Sequence, residues 1–284
     1  MNSKVVQTLL VFVLLLMIAV FLRNPMFHGL PMLHGLSIVD TTKVTEVTIS
    51  QTHLSKIKDT WVVASSDNFP ADQSKVEQLL TALASLTKNN LVSINPDNHD
   101  EYGVGAEGVV LKIGEQTIII GNSGPGFMSN YFRLADSDEV YLSDTSFEPT
   151  AKDPEWKDLA INLRPSMTQI SIQNSNGEFI LEQKDGSWIL VQPQLEKVVE
   201  TRVADLANRL GFMRAEDATT SGELGQVALT ILVKSVEGED KLVIGQAEDN
   251  ERLAKLNSSP YLYYLAPSEF GVFLDLDKEY FQAD

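Results

Sequence analysis

The chain contains no cysteine among its 284 residues and few basic residues, and each shortage excludes a class of function. Without cysteine, disulfide bonds and thiolate chemistry are impossible. Only 22 lysines and arginines stand against 39 acidic residues, so the formal net charge is −17. An acidic protein repels the phosphate backbone of nucleic acids and the headgroups of anionic lipids. We therefore expect no nucleic-acid partner.

Signatures of catalysis are missing as well. His53 and His99 are far apart in the sequence, and neither belongs to an HExxH motif or accompanies a serine nucleophile elbow. No spacing selects a pair of carboxylates for acid–base work. The sequence therefore predicts no catalytic residue, no metal-binding residue and no cofactor, and it favours a protein that is not an enzyme.

Two short loops allow a ligand-binding interpretation, and each has a simpler one. The run GNSGPG, Gly121–Gly126, offers backbone amides to a phosphate, but it lacks the lysine and the strand-to-helix context of a P-loop. The run ADSDE, Ala135–Glu139, offers carboxylates to calcium, but it is much shorter than a twelve-residue calcium loop. We expect both runs to be solvated loops between strands.

The N-terminus carries the longest apolar run in the chain. From Val5 to Leu22 there is no charged residue, and as a helix this run would span about 27 Å, close to the thickness of a bilayer core. We predict an uncleaved transmembrane signal-anchor over residues 1–23. A cleaved signal peptide is the alternative, but no A-x-A-like site follows the run. The expected location is the cytoplasmic (inner) membrane, with a single pass, the N-terminus inside and the bulk of the chain in the periplasm.

A connector over residues 24–39 repeats one six-residue phrase, PMFHGL and then PMLHGL. Pro25 and Pro31 each remove a backbone donor, so the anchor helix should end before them. The apolar side chains of the connector have no evident core to enter, which favours docking to another membrane protein or to the bilayer interface. The paired M-x-H units could instead bind copper, and a plain spacer is the simplest alternative. The predicted docking residues are Met26, Phe27, His28, Leu30, Met32, Leu33 and His34.

The remainder of the chain contains a larger duplication. The segment VTEVTISQ, which begins at Val44, returns as MTQISIQN, which begins at Met167, and both alternate as half-buried strands do. Helical spacing begins at Val76 in the first copy and at Val203 in the second. Because corresponding positions stay 123 to 127 residues apart across six elements, we infer that the two copies have the same fold.

Each copy reads as about three strands, one helix and about four further strands. The predicted fold class is therefore α+β: an N-terminal transmembrane helix followed by two tandem modules, each an antiparallel meander with one packed helix. The first module should cover residues 40–150, and the second should cover residues 166–284 with an acidic tail. A linker rich in proline and charge separates them over residues 151–165, where Trp156 is expected to pack onto one module.

Several short motifs support a resemblance. These are the PAD run at Pro70–Asp72 before the first helix, the Tyr102-Gly103 turn, strand pairs that end in glycine, and Trp156–Asp158. In this order they resemble a family of uncharacterised, membrane-anchored proteins with a duplicated domain. The second copy departs from the pattern, with Leu224-Gly225 where Tyr-Gly is expected and no PAD run.

Members of that family are often encoded beside ABC transporter components of the gliding-motility type. The resemblance therefore implies an accessory role, with integral membrane transporter subunits as partners. We expect a non-catalytic, membrane-anchored accessory or scaffold subunit of an ABC-type transport system. The alternative is an extracytoplasmic ligand-binding protein, or a hydrolase with unassigned carboxylates, that uses a cleft between the two modules.

Overall fold

The computed structural model of the protein describes residues 37–246 and 252–282. The predicted anchor over residues 1–23, most of the connector and all seven predicted docking residues lie outside these ranges. Within them, none of the helices has both the length and the apolar character needed to cross a membrane.

The described chain folds into two antiparallel sheets. The first has nine strands in the spatial order β4-β3-β2-β1-β6-β7-β8-β9-β5. Its strands are β1 Glu46–Ile49, β2 Thr52–Ile57, β3 Thr60–Val63, β4 Phe69–Pro70, β5 Leu91–Ser93, β6 Val109–Ile113, β7 Gln116–Ser123, β8 Asn130–Leu134 and β9 Val140–Leu142.

The second sheet has eight strands in the order β12-β11-β10-β14-β15-β16-β17-β13. They are β10 Met167–Asn174, β11 Gly177–Lys184, β12 Ser187–Gln192, β13 Asp217–Thr219, β14 Val227–Ser235, β15 Gly238–Gly245, β16 Arg252–Leu256 and β17 Leu262–Leu265. Apart from the extra strand β4, the two sheets have the same connectivity. Along the chain, β4 aside, each copy has three strands, then a helix, then five strands.

The predicted fold class is wrong. The two sheets dominate the described residues, and helices are few and short: α1 Gln73–Ala84, α2 Asp153–Trp156, α3 Glu200–Gly211 and α4 Pro267–Leu274. The long helices of the two copies, α1 and α3, have 12 residues each and bury one apolar stripe, such as Val203, Leu206 and Leu210 of α3. One such helix per copy of eight or nine strands makes the fold mostly β rather than α+β.

The chain divides into two compact units, and each combines separate stretches of sequence. Among the described residues, the first unit comprises Thr81–Gly108 and Gln116–Phe147 with those before Val44. The second comprises Val44–Leu80, Val109–Glu115 and those from Glu148 onward. In the first unit, Phe132 is fully buried and stacks on Tyr141 at 5.7 Å between ring centroids. In the second unit, Phe69 of β4 joins the large core formed by strands β10–β17.

A glycine in β7 and one at the end of β15 each let the backbone of a preceding loop approach closely. A Cβ atom on Gly121 would overlap the carbonyl oxygen of Tyr102, and one on Gly245 would overlap that of Leu224. The residue after each of these carbonyls, Gly103 or Gly225, has a left-handed backbone, with φ of 68° and 69°. The second copy therefore keeps the glycine that this turn requires and replaces only the tyrosine.

Within the second unit, the Trp156-Lys157-Asp158 motif joins the first-copy segment around β4 to the second sheet. The Lys157 ammonium lies 2.6 Å from Asp217 Oδ1, donates to the Ala218 carbonyl at 2.9 Å and lies 5.4 Å from the ring centroid of Phe69. The Lys157 side chain is only 5% exposed. A buried cation with two partners is stable there, but it depends on both.

Candidate functional site

The two histidines considered in the sequence analysis, His53 and His99, make separate contacts. His53 Nε2 lies 4.0 Å from Glu46 Oε2 at an exposed position, and His99 Nε2 lies 3.1 Å from the carbonyl oxygen of Asp138. Neither contact forms a catalytic arrangement. No group of three or more His, Asp or Glu side chains in the described chain could hold a metal ion.

The two loops that invited a ligand interpretation have internal partners. In GNSGPG, the Gly124 amide donates to the Ser129 carbonyl at 2.8 Å, and the amide of the following Phe127 donates to Gly124. In ADSDE, the Glu139 carboxylate accepts a hydrogen bond of 2.6 Å from the Tyr141 hydroxyl. Burial and this contact with Glu139 raise the pKa of Tyr141 to about 12. Both loops therefore serve the fold of the first unit.

An exposed apolar surface lies on the first unit, and sequence reasoning missed it. We call it the apolar rim and define it by Leu91, Val92, Ile94, Phe127 and Met128, all of which are exposed. Phe127 and Met128 are 80% and 75% exposed, although such side chains are usually buried. Apolar residues exposed together on a folded protein mark sites of interaction.

Two contacts place the parts of the apolar rim at one end of the sheet. The Leu142 amide at the end of β9 donates to the Asn90 carbonyl at 2.9 Å, just before β5 begins. The Leu142 side chain also packs against Gly124, in the loop that carries Phe127 and Met128. The rim therefore combines a loop tip with the last strand of the nine-stranded sheet, which has no further strand beyond it in the described chain.

Phe127 has a strained backbone in the loop between β7 and β8. Its φ angle is 58°, in the left-handed region that a bulky residue rarely adopts. Such strain costs about 1–3 kcal/mol and persists at sites where the geometry serves a function. In this conformation the aromatic side chain is 80% exposed to solvent.

A second feature is a polar cleft in the second unit, about 840 Å³ in volume. It lies where the second copy has a shorter loop: only residues 220–226 separate β13 from β14, whereas residues 94–108 separate β5 from β6. The Arg252 guanidinium donates to the Gly245 carbonyl at 2.8 Å and lies 5.1 Å from the ring centroid of Phe270. The polar residues that line the cleft include Gln173, Ser175, Gln226, Thr230, Arg252 and Asp275.

Comparison with known protein families gives one match. The family described as "Domain of unknown function (DUF4340)" matches residues 61–264, which is most of the chain. The chain belongs to the DUF4340 family. The match confirms the predicted kinship with an uncharacterised domain family, and it contains both the apolar rim and nearly all of the second sheet. No curated protein and no solved structure matches this DUF4340 chain.

Proposed function

We propose that this DUF4340 protein is a non-catalytic accessory subunit of an ABC-type transport system and that it binds a membrane subunit through the apolar rim. The observation that carries the proposal is the exposed pair Phe127 and Met128 on a strained loop beside an edge strand. A large aromatic side chain presented in this way can enter a pocket of a partner and become a main contributor to binding.

One feature of the sequence supports a location at the membrane, and a second favours a protein over a lipid surface as the target. The uncharged run from Val5 to Leu22 favours attachment to the cytoplasmic membrane. All acidic residues come after residue 36. Anionic lipid headgroups therefore repel this part of the chain, which is available to a protein partner on the extracytoplasmic side. A protein surface is therefore a better target for the apolar rim than a lipid surface.

The test changes the apolar rim without changing the core. Full-length protein tagged at the C-terminus is extracted from its native membrane in mild detergent, and co-purifying proteins are quantified by mass spectrometry. We expect ABC permease and ATPase subunits in comparable amounts with the unmodified chain. Phe127→Ser with Met128→Ser should reduce their recovery at least about tenfold, because a central aromatic contact is worth about 2 kcal/mol or more.

Phe212→Ser is the matched control, because Phe212 is 83% exposed but belongs to the second unit and is not one of the residues of the apolar rim. Recovery of the transporter subunits should be unchanged in this variant. Equal recovery from the rim variant and the unmodified chain would contradict the proposed docking role, and absence of transporter subunits from every sample would contradict the accessory function itself.

A second candidate function rests on the polar cleft. Its volume is within the range of small-molecule sites, and amide, hydroxyl and guanidinium groups converge on it. Among the described residues that line it, Asp275 is the one carboxylate, and the other polar groups are amides, hydroxyls and a guanidinium, which supports ligand binding. Native mass spectrometry of the full-length protein extracted from its own membrane would test the idea. A bound small molecule that is retained by the unmodified chain and lost from Arg252→Ala would support it, and release of no small molecule would contradict it.

A further inference from the structure

The duplicated fold exposes one edge strand in the second sheet that is covered in the first. In the first copy, β3 pairs on its outer side with β4, through Val62 with Pro70 and Val63 with Phe69. The matching strand of the second copy, β12, is the end strand of its sheet and pairs only with β11 among the described strands. An edge strand of this kind is a template for another strand.

The hairpin that precedes β12 determines which backbone groups are free. The turn residues Asp185 and Gly186 both have positive φ, and Lys184 pairs with Ser187 across them. In a two-residue hairpin this closing pair is hydrogen-bonded, and hydrogen-bonded residues then alternate along the strand. Trp188 and Leu190 therefore direct their backbone N–H and C=O groups outward, toward the open side of the sheet.

The charge pattern indicates which chain can approach this edge. From Gly186 to Leu195 there is no charged residue, although the chain as a whole carries a net charge of −17. A second copy of this acidic chain can therefore pair along β12 without placing carboxylates opposite each other. The other end of the second sheet is protected, because Lys157 binds the Ala218 carbonyl and the Asp217 side chain of β13.

We propose that β12 pairs antiparallel with β12 of a second copy of this chain, so that two eight-stranded sheets join across a twofold axis. We take the register in which the same face of both sheets points to the same side. In it, Trp188 exchanges hydrogen bonds with Leu190 of the second copy, and Leu190 does so with Trp188 of the second copy. Ile189 then faces its own counterpart at a non-hydrogen-bonded position. This pairing closes on itself and gives a dimer rather than a fibre.

The absence of cysteine makes a direct test possible, because one introduced cysteine is the only thiol in the chain. At a non-hydrogen-bonded antiparallel position the Cα atoms are about 4.5 Å apart, which is within the range that a disulfide spans. Mild oxidation of full-length Ile189→Cys in nonionic detergent should convert most of the chain into a covalent dimer. Val236→Cys, at an exposed hairpin tip outside the proposed interface, should remain mostly monomeric under the same conditions.

The mass of the unmodified full-length protein, from light scattering in the same detergent, provides the second measurement. We expect a dimer, and we expect Ile189→Asp to raise the dimer dissociation constant at least about tenfold, because it places two carboxylates opposite each other in an interface that loses an apolar contact. Phe212→Asp should leave the dimer intact.

Several outcomes would overturn the proposal: a monomeric unmodified chain, a dimer unaffected by Ile189→Asp, or equal cross-linking of the two cysteine variants. A monomer whose co-purifying partner is lost in Ile189→Asp would assign the edge to a different protein and would also overturn self-pairing. These results test β12 rather than the apolar rim, since Ile189 is not one of the residues that define the rim.

Discussion

Removal of Asp217, the carboxylate partner of Lys157, should lower the free energy of unfolding more than removal of the lysine charge itself. In Asp217→Ala the ammonium, which is 5% exposed, loses its ion-pair partner and retains the Ala218 carbonyl, the face of Phe69 and the more distant charge of Asp153. In Lys157→Met the apolar stem is kept and the charge is gone, while the Asp217 carboxylate is 40% exposed and can be hydrated. The two variants therefore separate an unpaired buried cation from a missing ion pair.

The magnitudes follow from the burial of each group. Breaking a fully buried pair by removing one partner costs about 3–5 kcal/mol, and the partial exposure of Asp217 reduces this to about 2–3 kcal/mol for Asp217→Ala. Replacing the lysine by an apolar side chain of similar length should cost about 1 kcal/mol or less. The double variant should lie within about 0.5 kcal/mol of Lys157→Met, because without the ammonium the carboxylate has little left to stabilise.

Urea unfolding of the full-length protein, followed by tryptophan fluorescence, measures these differences. Trp156 is a suitable reporter, since it is buried next to Lys157 and donates its indole N–H to the Thr150 carbonyl at 2.8 Å. The reasoning would be refuted if Lys157→Met lost as much free energy of unfolding as Asp217→Ala, or if Asp217→Ala lost none.

Two further predictions concern the backbone and the pH dependence of stability. Gly121→Ala should destabilise the protein by about 2–4 kcal/mol in urea unfolding, because the new Cβ would overlap the Tyr102 carbonyl oxygen. Gly271→Ala in α4 is the control: nothing lies within 4 Å of the new Cβ, so it should be neutral or stabilising by up to about 1 kcal/mol. Equal effects of the two substitutions would contradict the predicted clash. Burial of Asp153 disfavours its charge, but hydrogen bonds from Thr52, Ser66 and Ser65 and the charge of Lys157 outweigh burial and lower its pKa from 3.8. A lowered folded-state pKa contributes stability above the unfolded value and loses it as pH falls through the folded value. Because the carboxylate is partly exposed and therefore screened by solvent, Asp153→Asn should cost about 1 kcal/mol or less near neutral pH and progressively less below about pH 4. A cost that does not change with pH would contradict this reading.

The sequence pattern captured the elements that repeat with a clear period. The alternation beginning at Val44 and at Met167 does mark the first strands of the two sheets, and the helical spacing from Val76 and Val203 marks α1 and α3. It failed where strands are short. The run Leu91–Ser93 forms β5 with too few residues for any period to show, and the same is true of β13.

Features that depend on specific side-chain contacts left little signal in the sequence. The cap of α1 is one such feature: the Asp72 carboxylate accepts the Lys75 amide at 3.2 Å, so Asp72 caps a helix that begins at Gln73. Lys157 gave no sign of its burial, because its partners lie 60 residues away or more. For the apolar rim, the one available signal was the pair of apolar residues that directly follows the GNSGPG loop.

Site-specific photo-crosslinking from position 127 in intact cells tests the central claim most directly. A photoreactive phenylalanine analogue replaces Phe127 in the full-length chain, and position 212 serves as an equally exposed reference. The proposed function predicts a crosslink from position 127 to an ABC permease subunit and none from position 212. Crosslinks to the permease from neither position, or equally from both, would contradict docking through the apolar rim.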